Sequence, residues 1–304
     1  MTKLLPQYPV YVISKGRYER NLTANFLVKD EVPFHLVVEP QEFDEYASRY
    51  GKERILVLPF SNLGLGSIPA RNWVWEHSKE QGYKRHWILD DNINGIWRYY
   101  KGKRLPMKSG AAFKIIEDFT ERYTNIGISG MNYTTFIGLV ASGGKMPPFY
   151  LNTHIYSCLL ILNELPYRWR GRYNEDTDLC LQVLANNWCT VAFNIFGQLK
   201  AATMTMKGGN TDELYKGDGR LEMARTLERS WPYTVTVGRR FKRPQHIVHQ
   251  AWRKFDTQLI RRTDIDWDKI AETTYDLKLV QVADEIKSAR IKKLLKDSGN
   301  GAPE

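Results

Sequence analysis

The chain has 304 residues, 42% hydrophobic and 26% charged, with 44 Lys and Arg against 34 Asp and Glu for a formal charge of +10. That length holds one or two domains with a full core, and the balance excludes collagen-like, low-complexity and wholly disordered chains. No apolar run approaches the roughly 18 residues of a membrane span: the longest is Cys158-Leu159-Leu160-Ile161-Leu162.

Residues 8–13 read as a strand that ends in the polar group Ser14, Lys15, Gly16 and Arg17, and a helical segment follows at 22–28. A second strand, residues 34–39, is stopped by Pro40. A short helix over 42–50 ends at Gly51, and a third strand over 54–58 is stopped by Pro59. The spacing predicts a helix over 69–81, with Ser67 as cap, Pro69 in its first turn and Gly82 after its end. A fourth strand, 86–89, runs into Asp90-Asp91-Asn92. Strands rich in Val, Ile and Leu that alternate with helices predict βαβ units and an α/β fold with a mostly parallel central sheet. Ligands of such sheets lie at the carboxyl ends of the strands, where Ser14, Arg17, Glu39, Asp90 and Asp91 converge.

Further on, residues 111–123 read as a helix, and 126–133 and 135–140 as strands. Asn174 stands as the cap of a helix over 175–187, whose core stripe is Leu179, Val183, Leu184 and Trp188. Lys207-Gly208-Gly209-Asn210 reads as a mobile loop and residues 267–296 as helical. Residues 1–9 lack the basic-then-apolar pattern of a signal peptide. Cys158, Cys180 and Cys189 show no CxxC spacing and fit reduced, buried thiols, so the expected location is cytoplasmic.

The charge is uneven. Residues 220–262 hold eleven basic residues against three acids, +8, and from Thr263 onward nine acids face seven bases, −2. Trp231, Tyr233, Phe241, Trp252 and Phe255 interleave with the basic run. Rings stack on bases while Arg and Lys meet phosphates, so the pattern suits a nucleic acid, the plain alternative being a solvated helical face. Arg239, Arg240, Lys242, Arg243 and Trp252 are the candidate contacts. The donor half is expected to carry little of the excess charge.

Four groups carry candidate chemistry. Asp90-Asp91-Asn92 after a buried strand can hold Mg2+ or Mn2+ against a diphosphate, or simply form an Asx turn. Arg71, at a helix start after Leu63-Gly64-Leu65-Gly66-Ser67, can pair with a phosphate, or be a surface Arg beside a flexible connector. Asn174-Glu175-Asp176-Thr177-Asp178 puts three acids in one helix turn, as a general base or as partners of the helix dipole. His246 and His249 share a face if their segment is helical, as metal ligands or as members of the basic patch.

The ordered combination resembles the GT-A glycosyltransferases that use nucleotide sugars, and most of all the TET-associated glycosyltransferases of phages. The stretches 12–17, 64–72 and 87–93 carry the resemblance, which covers roughly residues 8–210. It implies a GT-A-like core over 1–215 and a basic, mostly helical acceptor-binding extension over 216–304. It implies that Asp90 holds the ribose or uracil of a UDP-sugar, with Ser14, Arg17, Glu39 and Arg71 also at the donor. Asp91, with His246 or His249, would hold Mn2+ or Mg2+. Asp176 would be the base, with Glu175 as neighbour or rival. The acceptor implied is a 5-hydroxymethylpyrimidine in phage DNA, chiefly 5-hydroxymethylcytosine, with inversion at the anomeric carbon and no membrane or obligate protein partner. Three other readings remain: a GT-A enzyme for a glycan, lipid or protein, a nucleotidyltransferase, and a non-enzymatic nucleic-acid-binding protein.

Overall fold

A computed structural model describes residues 4–100, 103–137, 147–171, 173–201, 219–240, 243–248 and 252–270. The chain divides into one unit that reaches Arg261 and a second from Arg262 onward. In the second unit the described residues include a 3-10 turn at Trp267–Lys269, and the rest of the helix expected to 296 lies outside the described residues. The 207–210 loop also lies outside them.

The first half follows the expected alternation. Strand β1 (Val10–Ile13) leads to α1 (Leu22–Lys29), β2 (His35–Val38), α2 (Phe43–Tyr50), β3 (Ile55–Val57), α3 (Ile68–Glu80) and β4 (Arg85–Asp90). β1 pairs in parallel with β2 and β4, and β2 with β3. Every residue of β1 is buried, as expected for a strand covered on both faces. Asn21 starts α1 by accepting from the Ala24 N–H at 2.8 Å. Ser67 stands at the N-cap of α3, but its hydroxyl makes no cap bond.

Beyond β4 the sheet becomes mixed. Strands β5 (Ile93–Tyr100) and β6 (Lys103–Pro106) form a hairpin, and α4 (Ser109–Thr120) precedes β7 (Ile126–Tyr133). β8 (Phe149–Leu151), β9 (Cys158–Leu162), α5 (Glu175–Leu184) and β10 (Cys189–Lys200) follow. The order is β3-β2-β1-β4-β9-β7-β10-β5-β6, with β8 on β10. β9, the longest apolar run of the sequence, inserts antiparallel between β4 and β7, and β10 is parallel to β7. Strands β5, β8 and β9 therefore oppose the other seven, so the sheet is mostly parallel in direction. The strand expected over 135–140 does not form where the chain is described: Thr134 to Phe136 make a turn, and 138–140 lie outside the described residues.

The main core joins Tyr11, Ile13, Val37, Ile88 and Leu159 on one face of the sheet to Trp75 of α3 and Leu179 and Val183 of α5. A satellite core seats α6 (Gly219–Ser230) and the antiparallel pair β11 (Thr236–Arg240) and β12 (Arg243–Ile247) on α5 through Leu181, Leu227, Val235 and Val248. His246 thus lies on a strand, so the helical spacing that would have joined it to His249 does not apply, and His249 is outside the described residues.

Candidate active site

The carboxyl ends of β1 and β4 meet the start of α5 and the end of β10. Thr23, in the first turn of α1, fixes the turn after β4. Its hydroxyl donates to the Asp90 carbonyl at 2.5 Å and accepts from the Ile93 N–H at 2.9 Å, and its own N–H reaches the Asp91 carbonyl at 3.3 Å. The two aspartates then face different partners.

Asp90 accepts from Arg71 Nη2 at 2.7 Å on one oxygen, and from Ser157 Oγ at 2.7 Å and Lys200 Nζ at 2.8 Å on the other. Burial opposes its charge, but Lys200 and Arg71 outweigh burial and hold the carboxyl well below the usual range. Asp91 turns the other way. It is buried, with Ser14 Oγ donating at 2.8 Å and Arg17 Nη1 at 2.5 Å. There burial prevails over Arg17 and Ser14 and pushes the carboxyl up.

Arg71 is 2% exposed and sits among three acids: besides Asp90, its Nε is 3.7 Å from Glu175 and its Nη1 3.7 Å from Asp176. Its guanidinium carbon lies 4.5 Å from the Trp169 ring centroid. Burial disfavours the cation, but Asp176, Asp90 and Glu175 together secure it. Arg71 is thus no surface residue.

Asp176 takes the Ser157 backbone N–H on one oxygen at 3.0 Å. Its other oxygen is buried without a hydrogen-bond partner, and so is Arg71 Nη1 opposite it. Such groups, left unbonded, cost about 1–3 kcal/mol each, and these two face each other as an ion pair at 3.7 Å. Burial first, then Glu175 and Asp90, push the Asp176 carboxyl up to about 7 against the pull of Arg71. Glu175 accepts from Ser67 Oγ at 3.1 Å. Asp178 is spent elsewhere, on Arg170, Gln182 and the Trp231 indole N–H at 2.7 Å. Asn174, expected as a side-chain cap, is left-handed at φ 55° and makes no cap bond; its amide reaches the Met223 carbonyl of α6 at 2.8 Å.

Three residues of the site escaped the sequence reading. Ser157 bridges Asp90 by its hydroxyl and Asp176 by its N–H, from a strained φ of 60°. Lys200 ends β10, and Tyr133 ends β7 with its hydroxyl on Ser157 at 2.8 Å. A Ser before an apolar run and a Lys after one carry no local signal. Only the pairing of Lys200 with Ile93 and of β9 with β4 brings them to Asp90.

Other expected residues lie at the rim or away from it. Glu39 accepts from Lys15 at 3.1 Å, Gln41 and the Asn62 N–H. Ser14 also bonds Tyr46 at 2.6 Å. The residues do not fit a divalent ion. Every oxygen of Asp90 and Asp91 is already bonded to a cation or hydroxyl, and among the described residues no three acid, His or Cys side chains gather as ligands. Burial first, and then the nearby His246, lower the His154 ring to about 4. Trp252 is half-buried, with its ring 5.5 Å from His154 and 6.3 Å from Phe255. Arg239 and Arg243 are exposed on the β11 and β12 hairpin; Arg240 pairs with Arg243 in the ladder, and Lys242 lies outside the described residues.

The model of the TET-associated glycosyltransferases matches residues 8–209, two thirds of the chain. The protein belongs to that family. It is a sugar-transferring enzyme, and the match spans every site residue from Ser14 to Lys200. This glycosyltransferase carries α6 and the β11 and β12 hairpin beyond the matched residues. Among solved structures it is similar to one from Desulfovibrio desulfuricans G20 that is provisionally described as a nucleotide-diphospho-sugar transferase. The identity is 10% and the TM-score 0.35, over 62% of this chain and 80% of that one. No curated protein matches the chain.

Proposed function

We propose that the protein transfers a sugar from a UDP-sugar to the hydroxymethyl oxygen of a 5-hydroxymethylpyrimidine, chiefly 5-hydroxymethylcytosine, in phage DNA. The observation that carries the reading is Asp176: a buried carboxyl raised to about 7, one oxygen unpartnered, beside the Asp90 and Arg71 pair at the strand ends. A base poised near neutrality is what removal of a hydroxyl proton requires. In the reaction the unpartnered oxygen of Asp176 takes the acceptor proton as the acceptor oxygen bonds to the anomeric carbon. The bond from that carbon to the diphosphate breaks, UDP departs with the electron pair, and attack from the opposite side inverts the centre. Asp90, Ser14, Arg17 and Glu39 line the donor side.

The DNA acceptor is supported by charge in two places. Arg239 and Arg243 are exposed on one hairpin, and Tyr233, 93% exposed, stands just before it. The second place corrects the expectation of a charge-poor donor half. Residues 93–116 hold six basic residues (Arg98, Lys101, Lys103, Arg104, Lys108, Lys114) and no acid, a balance of +6. Those among the described residues lie on the β5 and β6 hairpin and around the start of α4, with Lys103 and Arg104 exposed and the Arg104 guanidinium 5.1 Å from the Trp97 ring. β5 leaves the site at Ile93, beside Lys200, and runs antiparallel to β10, back along the sheet from the strand ends. A target base inside a duplex has to be flipped out or met as single strand. The test is incubation with a panel of UDP-sugars and DNA containing 5-hydroxymethylcytosine, read by nucleoside mass spectrometry. A hexose added to the modified base is expected; unmodified DNA with every donor sinks the reading.

A further inference from the structure

We propose that Lys200 and Arg71 together bind the diphosphate of the sugar donor and carry the charge of the departing UDP, so that transfer needs no divalent cation. This rests on the sugar-donor reading above. Lys200 Nζ lies 2.8 Å from Asp90, 2.6 Å from Ser157 Oγ and 3.3 Å from the Tyr133 hydroxyl. The last of these bonds is the longest and gives way most readily to a phosphate oxygen. Arg71 reaches the other oxygen of Asp90, is held from behind by the Trp169 ring, and keeps Nη1 without a hydrogen-bond partner in the site. Asp90 therefore holds two cations, one on each oxygen, 110 and 19 residues away in sequence.

Asp90 shares its one negative charge between Lys200 and Arg71, which leaves part of their cationic character for a ligand, while Glu175 and Asp176 stand 3.7 Å from Arg71. A nucleotide diphosphate sugar brings two negative charges, and a third develops on the leaving phosphate as the sugar departs. A divalent ion placed at Asp90 would stand against both the guanidinium and the ammonium, and it would have to displace them from the carboxylate. Asp91 is no better placed, since the Arg17 guanidinium already sets a positive charge against it. Fixed cations aimed at developing charge do the work a metal does in other transferases, with no ion to recruit.

The experiment measures UDP and uridine binding by calorimetry, and sugar transfer, with EDTA or with Mn2+, for the wild type, Lys200→Met and Lys200→Arg. The wild type is expected to bind UDP and turn over equally in EDTA and Mn2+. Lys200→Met should lose roughly 100-fold in turnover and weaken UDP while leaving uridine unchanged, which a purely structural lysine would not do. Lys200→Arg should recover much of the UDP affinity. Wild-type binding or transfer that fails in EDTA and returns with Mn2+ overturns this proposal alone, whether or not the variants fold. Absence of nucleotide binding under both conditions overturns the donor reading and this proposal with it.

Discussion

Asp176 and Asp178 are two residues apart and do opposite things. One is buried against another carboxylate with an oxygen left open; the other is closed off by Arg170, Gln182 and Trp231. Asp176→Asn is expected to lower turnover by about 10²–10⁴ with UDP binding intact; full activity would move the base to Glu175. The sign of the pH dependence follows from the raised carboxyl. Below about 7 Asp176 is protonated and cannot accept, so turnover should climb as pH rises through about 7 and then level off, and Asp176→Asn should flatten that limb. Ser157 offers a second test. Ser157→Gly relieves the positive φ but removes the hydroxyl that joins Asp90, Lys200 and Tyr133. Activity should fall while thermal stability changes little.

At the scale of elements, α5 is the hinge of the site. Its first turn supplies Glu175 and Asp176, its interior packs into the main core through Leu179 and Val183, and Leu181 with Asp178 anchors α6. Trp231→Phe keeps most of the ring packing and deletes the hydrogen bond to Asp178. It should cost about 1–3 kcal/mol, seen as a lower midpoint in urea unfolding. α4 shows a different dependence. Glu117 on that helix is buried and accepts from the backbone of Gln7 and Tyr8 and from Trp87, and burial raises its carboxyl to about 7 despite these donors. A raised carboxyl stabilises the fold fully below its ordinary value of 4.5, and that contribution is lost as pH rises through about 7. Glu117→Gln should remove this loss, which stability curves at pH 5 and pH 8 would reveal.

Over the whole molecule, the surplus charge concentrates in two stretches, 93–116 and 220–262, each of which includes a hairpin. Neutralising Arg239 and Arg243, or Lys103 and Arg104, should weaken DNA binding and lower the salt dependence by about one unit for each phosphate left without its cation. Transfer to a free 5-hydroxymethyl nucleoside should be unaffected. Equal salt slopes for both variants and wild type would argue that the hairpins only shield sheet edges, a common use of Lys at an edge strand.

The alternation of β1 to β4 with their helices was legible in the sequence because each strand is a short apolar run closed by Pro or a polar group, a signal held within a few residues. So was the clustering of acids at strand ends, since the carboxyl ends of parallel strands always share one side. The sequence by itself thus determined the α/β class, the family and the side of the sheet where the candidate site lies. The tertiary structure decided which carboxylate faces which cation. Asp90 and Asp91 are neighbours in the chain, yet one turns to Arg71 and Lys200 and the other to Arg17. That division rests on partners up to 110 residues distant, whose approach depends on strand order and register rather than on any local preference.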